Sequence, residues 1–280
     1  MGLERTPTIV VSASMQISID EILDFVACPV LYKYRHVDKL EPPQPKMGRM
    51  TKNSVVELYD KALHKSVFYI FHRIQDGFYP SLANLSKTWG NVWIRPRAEV
   101  ESIKFQSTSW RDTHKRKESQ GWSNLKRIHE YYEAEHGTPI MVDYTYEIPI
   151  GNHTLTGTID LVETKRNKAG REEIVMTEFV VDERNMPYLN IRRDWKVTAA
   201  SYAFRKVMRV SEQKIVYHGI VSGKRHDTIR DQDDYTQLEH LINIIVESTE
   251  RELFYPSFNT RCESCPFQKL CEKGWFDVKD

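Results

Sequence analysis

Cysteine is scarce in this chain, with four residues in 280, and no sign of charge dominates: 40 Lys and Arg nearly cancel 39 Asp and Glu. The balance gives no global sign of nucleic-acid binding. No apolar run approaches the length of a membrane span, and no targeting segment is visible at the start. Internal repeats and low-complexity tracts are also missing. These absences point to a soluble globular chain with no membrane partner. With unpaired thiols and no export signal, a reducing cytoplasm is its expected home. The length allows one large domain or two small ones.

The cysteines are unevenly placed. Cys262, Cys265 and Cys271 cluster near the C-terminus, and Cys28 lies almost a whole chain away. Three thiolates leave a tetrahedral or cubane metal site one ligand short, and Cys28 is the only thiol left to fill it. Such a site would clasp the two ends of the chain. Disulfides fit poorly, because a chain of this length buries its own core and no secretory segment precedes Cys28. Zinc usually takes two Cys-x-x-Cys knuckles, and only Cys262 and Cys265 have that spacing. An iron–sulfur cluster tolerates three ligands plus one, because the cluster spans the gap. Ligand counting thus ranks iron–sulfur above zinc, and zinc above free or oxidised thiols.

The elements follow a definite order. Ser18 or Asp20 caps a helix through Glu21 to Phe25, ended by Cys28-Pro29. Thr8 to Val11 is short and apolar, and Glu41 to Pro45 reads as a linker. Helical spacing returns from Ser54 to Ile74, with Val55, Leu58, Tyr59, Leu63, Phe68 and Phe71 as a stripe. Residues 77–121 are hard to assign; they hold Trp89, Trp93, Trp110 and the basic run His114 to Lys117. That run reads either as a solvated face or as a phosphate contact with aromatics nearby for base stacking. Trp122 to His136 is helical and stops at Gly137 and Pro139. The period then falls to two, giving strands at Ile140 to Ile150, Thr154 to Glu163 and Ile174 to Asp182. A helix at Trp195 to Met208, a strand at Lys214 to Val221 and a helix at Asp234 to Leu253 complete an α/β (α+β) order around one mixed sheet.

Two carboxylates mark a candidate site. Asp160 lies inside the apolar strand Gly157-Thr-Ile-Asp-Leu-Val162, and Asp182 ends the next strand. Carboxylates are seldom buried unless paired or metal-bound. On neighbouring strands the two could share Mg²⁺ or Mn²⁺, with water and phosphate completing the shell. The bland alternative is a bend at Asp160 and a turn starting at Asp182.

This order resembles the RecB-type nucleases of the PD-(D/E)XK superfamily, especially those with an iron–sulfur clasp: CRISPR-associated RecB-like exonucleases, the AddB nuclease domain and exonuclease V. Ser18-Ile-Asp to Cys28-Pro29 is similar to the family's opening. Val142-Asp143 with Leu155 to Asp160 is similar to the strand pair bearing the first acid. Asp182-Glu-Arg184-Asn185 falls where the family has Asp/Glu-x-Lys-Thr, and Cys28, Cys262, Cys265 and Cys271 match its cluster ligands. The resemblance implies one domain over 1–280 with a restriction-endonuclease-like mixed central sheet flanked by helices. It also implies a helical insertion over 44–138 and a 4Fe-4S clasp over 254–280, zinc being the alternative.

The implied activity is metal-dependent phosphodiester hydrolysis on DNA, exonuclease-like, at single strands or ends. Mg²⁺ or Mn²⁺ would sit on Asp160 and Asp182, with Arg184 and Tyr202 as further site residues. The implied partners are DNA and a helicase or other DNA-processing protein. The chain departs from the family at three positions: Lys52 where a His follows Gly48, Arg184 at the Lys, and Thr198 at the Gln of Gln-x-x-x-Tyr. Arg cannot act as a base there. Reading Glu178 as the second acid puts Val180 at the Lys position. The departures leave open a catalytically silent nuclease fold that binds DNA or a partner protein.

Overall fold

In the computed structural model, which describes residues 14–42, 52–101, 108–181 and 191–275, the first element is a short strand, β1 (Gln16–Ser18). Ser18 then caps α1 (Ile19–Ala27): its hydroxyl accepts the Glu21 N–H at 3.2 Å, and the Glu21 carboxylate accepts the Ser18 N–H at 2.7 Å. The reciprocal cap satisfies donors that a helix start leaves open. Cys28 ends α1, and Pro29 opens α2 (Pro29–Tyr32), where a missing N–H is harmless. Thr8 to Val11, Pro43 to Pro45, Gly48 and Asp182 to Asn185 lie outside the described residues, as do the side chains of Lys52, Val55, Trp110 and His114.

Three long helices follow, α3 (Lys52–Gln75), α4 (Leu82–Glu101) and α5 (Thr108–Glu135). Tyr59, Leu63, Phe68 and Phe71 form the expected buried stripe of α3. The unassigned stretch 77–121 is largely α4 and the first half of α5. Its Trp89 and Trp93 stack with ring centroids 5.3 Å apart and are buried, so they are core residues and not platforms for bases. A Cβ on Gly121 of α5 would lie 2.3 Å from the Trp89 ring. Glycine there costs the helix about 1 kcal/mol of propensity and admits the indole.

The remaining strands and α-helices among the described residues are β2 (Thr138–Ile150), β3 (His153–Arg166), β4 (Glu172–Val180), α6 (Trp195–Met208), β5 (Lys214–Gly219), β6 (Arg225–Thr228), α7 (Gln232–Glu250) and α8 (Gln268–Trp275). The strands form one six-stranded sheet in the order β1-β3-β4-β5-β6, with β2 also on β3. Strand β3 is its hub. It pairs antiparallel with β2, parallel with β1 at Thr154 to Thr156, and antiparallel with β4 at Leu161 to Arg166. Strands β4 and β5 are parallel, so the chain crosses between them through α6. On one face α1, α6 and α7 pack through Ile22, Ala200, Phe204 and Ile242. On the other, α3 to α5 bring Leu63, Phe71, Leu125 and Tyr132 onto Val142, Leu161 and Phe179. The result is a mixed α/β fold whose central sheet is flanked by helices.

His218 of β5 is buried beneath α5, its Nδ1 hydrogen-bonded to the Tyr132 hydroxyl at 2.9 Å. Burial, reinforced by the cations Arg225, Lys165 and Arg127, pulls its pKa down to about 3. An unfolded histidine titrates near 6.5. The neutral ring therefore contributes stability that is fully present above about pH 6.5 and is lost as pH falls toward 3. We expect the urea midpoint of the wild type to fall steadily from pH 7 to pH 4, by the equivalent of a few kcal/mol. His218→Gln should flatten that slope; an unchanged slope would exclude His218 as its source.

Candidate functional site

The sheet forks at Asp160. Leu161 is the last β3 residue paired with β4, through Thr177, so Asp160 stands opposite Glu178 just where that ladder ends. Beyond it, β4 pairs only with β5, and β1 joins β3 further back. An Asp160 carboxylate oxygen accepts the Phe179 N–H at 2.9 Å, replacing the ladder bond that β4 loses as it leaves. Strand β2 is irregular at the same level. Asp143, opposite Asp160, has φ 47°, and the alternation of β3 shifts by one: Ile159 and Val162 join one core, Leu161 the other. This kink is a local device for re-aiming a side chain.

Lys196 completes the group from the first turn of α6. Its ammonium contacts the Glu178 carboxylate and lies 3.5 Å from Asp160 Oδ1. Asp194 caps that turn, its side chain accepting the N–H groups of Lys196 at 2.8 Å and Val197 at 3.5 Å. Both acids are buried. Burial first and Asp160 second push the Glu178 pKa above the ordinary carboxylate range despite the ammonium. Burial opposes the charge on Lys196, yet Glu178 and Asp160 outweigh it and hold its pKa above the ordinary lysine range. From α3, His64 places Nε2 2.9 Å from the Phe179 carbonyl oxygen and Nδ1 3.0 Å from that of Asp60. A neutral imidazole has one N–H and can satisfy only one of them.

The cysteines form the second group. Cys28, Cys262, Cys265 and Cys271 are free thiols lining one cavity of about 490 Å³, together with Tyr34, Phe258 and Phe267. Ser257 N–H donates to Cys28 Sγ at 3.4 Å, and the Asn259 amide donates to the Ala27 carbonyl at 3.1 Å, joining the end of α1 to the segment after α7. Burial raises the pKa values of Cys265 and Cys271, and neighbouring thiols push the same way. Among the described residues, no three His, Cys, Asp or Glu side chains are gathered tightly enough to share a single ion.

A family model described as "PD-(D/E)XK nuclease superfamily" matches residues 16–272. The chain belongs to the PD-(D/E)XK nuclease superfamily. Its central sheet and flanking helices are the restriction-endonuclease-like fold of that superfamily. A search of the curated proteins gives no match. Among solved structures, the crystal structure of SSO0001 is similar at 14% identity over 85% of this chain and 90% of that one, with a TM-score of 0.32. A likeness at that level adds nothing to the assignment.

Of the superfamily positions read from sequence, Asp160 is at the fork, while Asp182 and Arg184 lie outside the described residues. Tyr202 of α6 points its hydroxyl at the Pro149 carbonyl, 3.5 Å away, and packs against Tyr235. Thr198 is buried and structural, donating to the Asp194 carbonyl at 2.9 Å and accepting from Arg230 at 2.8 Å. The cation beside Asp160 is Lys196, which the motif spacing does not anticipate, and the nearby histidine is His64, twelve residues beyond Lys52. Glu178 and Asp160 were separable from ordinary strand residues only as charges inside apolar runs.

Gly157, three residues before Asp160, faces Tyr146 across the β2–β3 ladder. A Cβ there would lie 2.4 Å from the phenolic oxygen and 2.6 Å from Cζ, and Tyr146 is too deeply buried to swing away. Gly157→Ala should therefore destabilise the protein by about 1–3 kcal/mol. The added cost should shrink in a Tyr146→Leu background, measured by urea unfolding. A Gly157→Ala variant as stable as wild type would contradict this packing.

Proposed function

We propose that this chain hydrolyses phosphodiester bonds in DNA, at single strands or ends. In this reading Asp160 and Glu178 hold Mg²⁺ or Mn²⁺, and Lys196 is the cationic group at the reacting phosphate. The observation that carries it is the convergence of two buried carboxylates and the half-buried Lys196 ammonium where β4 leaves β3. The donor set fits a hard cation: such ions take one or two carboxylates and complete their shell with water and phosphate oxygens. Val180 stands where a strand lysine would follow Glu178, and α6 supplies the missing ammonium through Lys196.

When bound, the cation supplies charge neutralisation at the phosphoryl oxygens and makes a water more acidic. Lys196 stays protonated, so it serves as hydrogen-bond donor and fixed charge for the pentavalent transition state, and not as a base. Asp160 keeps one oxygen on the Phe179 N–H and turns the other toward Lys196. Lys, unlike Arg, is a compact point charge on a flexible stem, suited to a phosphate whose charge builds up late.

The decisive experiment is cleavage of end-labelled single- and double-stranded DNA in Mg²⁺ or Mn²⁺. Asp160→Asn, Glu178→Gln and Lys196→Met should each slow it on the order of 100-fold, with the fold intact by circular dichroism. A folded wild type that binds DNA without cutting it would sink this reading and leave a catalytically silent binder.

We further propose that Cys28, Cys262, Cys265 and Cys271, which line one cavity, hold a 4Fe-4S cluster. Soft thiolates select iron–sulfur or zinc. A cluster bridges ligands that are too widely spaced for one zinc ion, whose bonds to sulfur are about 2.3 Å long. Anaerobic protein should carry about four iron atoms per chain and absorb broadly near the violet. Cys28→Ser should lose that absorption and melt earlier, because ligand binding is coupled to folding. Zinc at one per chain, without iron, would overturn the cluster.

A further inference from the structure

The geometry points to Arg230 as a positioning residue, a buried guanidinium that locks the first turn of α6 so that Lys196 meets Asp160 and Glu178. This rests on the proposed phosphodiester site and adds a residue that touches none of the reacting groups.

Arg230 lies between β6 and α7 and is 3% exposed. Its Nε donates to Thr198 Oγ1 at 2.8 Å. Nη1 donates to Thr228 Oγ1 and to the Ile229 carbonyl, both at 2.9 Å. Nη2 reaches the Ile191 carbonyl at 2.7 Å and the Asp194 carbonyl at 3.5 Å. Each of these acceptors is neutral. A buried charge is expensive unless its donors are satisfied. The planar fork of arginine offsets that cost by meeting oxygens from two separate segments, 191–198 and 228–229, at once.

Two of those oxygens belong to the turn that carries Lys196. Asp194 is the cap of α6, and its carboxylate binds the Lys196 and Val197 N–H groups. Thr198 Oγ1 donates back to the Asp194 carbonyl while receiving Arg230. Arg230, Thr198 and Asp194 thus fix the rotation of this turn about the helix axis. One residue of rotation is about 100°, enough to swing Lys196 off both carboxylates. The same side of α6 continues the anchoring: Ser201 binds Glu212 and Tyr235, and Arg205 pairs with Glu212 and donates to the Arg230 carbonyl at 3.0 Å. With its rear face pinned, α6 presents Lys196 in one orientation.

The test uses the full chain with Arg230→Gln and Thr198→Val. Acetylation of Lys196 by a water-soluble acylating reagent is followed by mass spectrometry, with exposed Lys126 as the internal reference. Both variants should raise the Lys196 rate relative to Lys126 roughly ten-fold, and lower kcat for DNA by a similar factor while leaving KM unchanged. A role in overall stability alone would move neither ratio. Wild-type labelling of Lys196 in a folded variant would overturn the proposal. If Arg230→Gln does not fold, Thr198→Val decides, because it removes one hydroxyl and keeps the volume. If the wild type cuts no DNA, the nuclease reading falls and the labelling ratio still decides whether Arg230 places Lys196.

Discussion

The separation of β4 from β3 at Asp160 is the constraint around which this protein is arranged. A strand leaving its neighbour strands a backbone N–H away from water, and such a group must find an acceptor. Here the acceptor is the Asp160 carboxylate, taking the Phe179 N–H. That bond fixes one acid in a dry fork, and the cross-strand register places Glu178 beside it. Two acids held this close away from water are stabilised by a cation or neutralised by a proton. Lys196, aimed by the start of α6, supplies that cation.

The two helical layers serve this fork differently. The layer of α3 to α5 is knit by aromatic rings: Phe71 lies edge-on to Tyr132 at 4.7 Å and tilted on Phe179 at 5.6 Å. It braces β4 from behind, directly beside Glu178. The layer of α1, α6 and α7 mixes aliphatic residues with Phe25 and Phe204 against the sheet, but α6 also carries a polar row, buried Thr198 and Ser201 and half-buried Arg205, where it meets the β6–α7 connection. Apolar packing alone tolerates small helix shifts. Directional hydrogen bonds along one helix side do not, and they fall on the helix that bears the ammonium.

Much of the fold was legible because burial imposes its period on the sequence. The β2–β3 hairpin, β4, α6, β5 and α7 all lie within a few residues of their expected bounds. Strand β1 was not, since three residues are too short for a periodic signal, and neither was β6, an edge strand of exposed and half-buried residues. Helix α4 was hidden by Gly90 and Pro96 in its own sequence, residues that local propensity reads as breaks. At the site, Asp160 announced itself as an acid in an apolar run. Lys196 could not, because its role depends on where a helix start meets two strands, and nothing in its neighbours along the chain records that meeting. The four cysteines, Cys28 far from the other three in the sequence, line a common cavity.

The contacts between Ala27-Cys28 and Ser257-Asn259 join positions up to 232 residues apart in sequence. They turn a linear chain into something close to a ring. Strands β2 to β6, helices α3 to α7 and the fork all lie inside that ring, so any bond that closes it restrains most of the unfolded chain, and the entropy of closing a loop grows only slowly with its length. Two segments more than two hundred residues apart are the place where the fold is sealed.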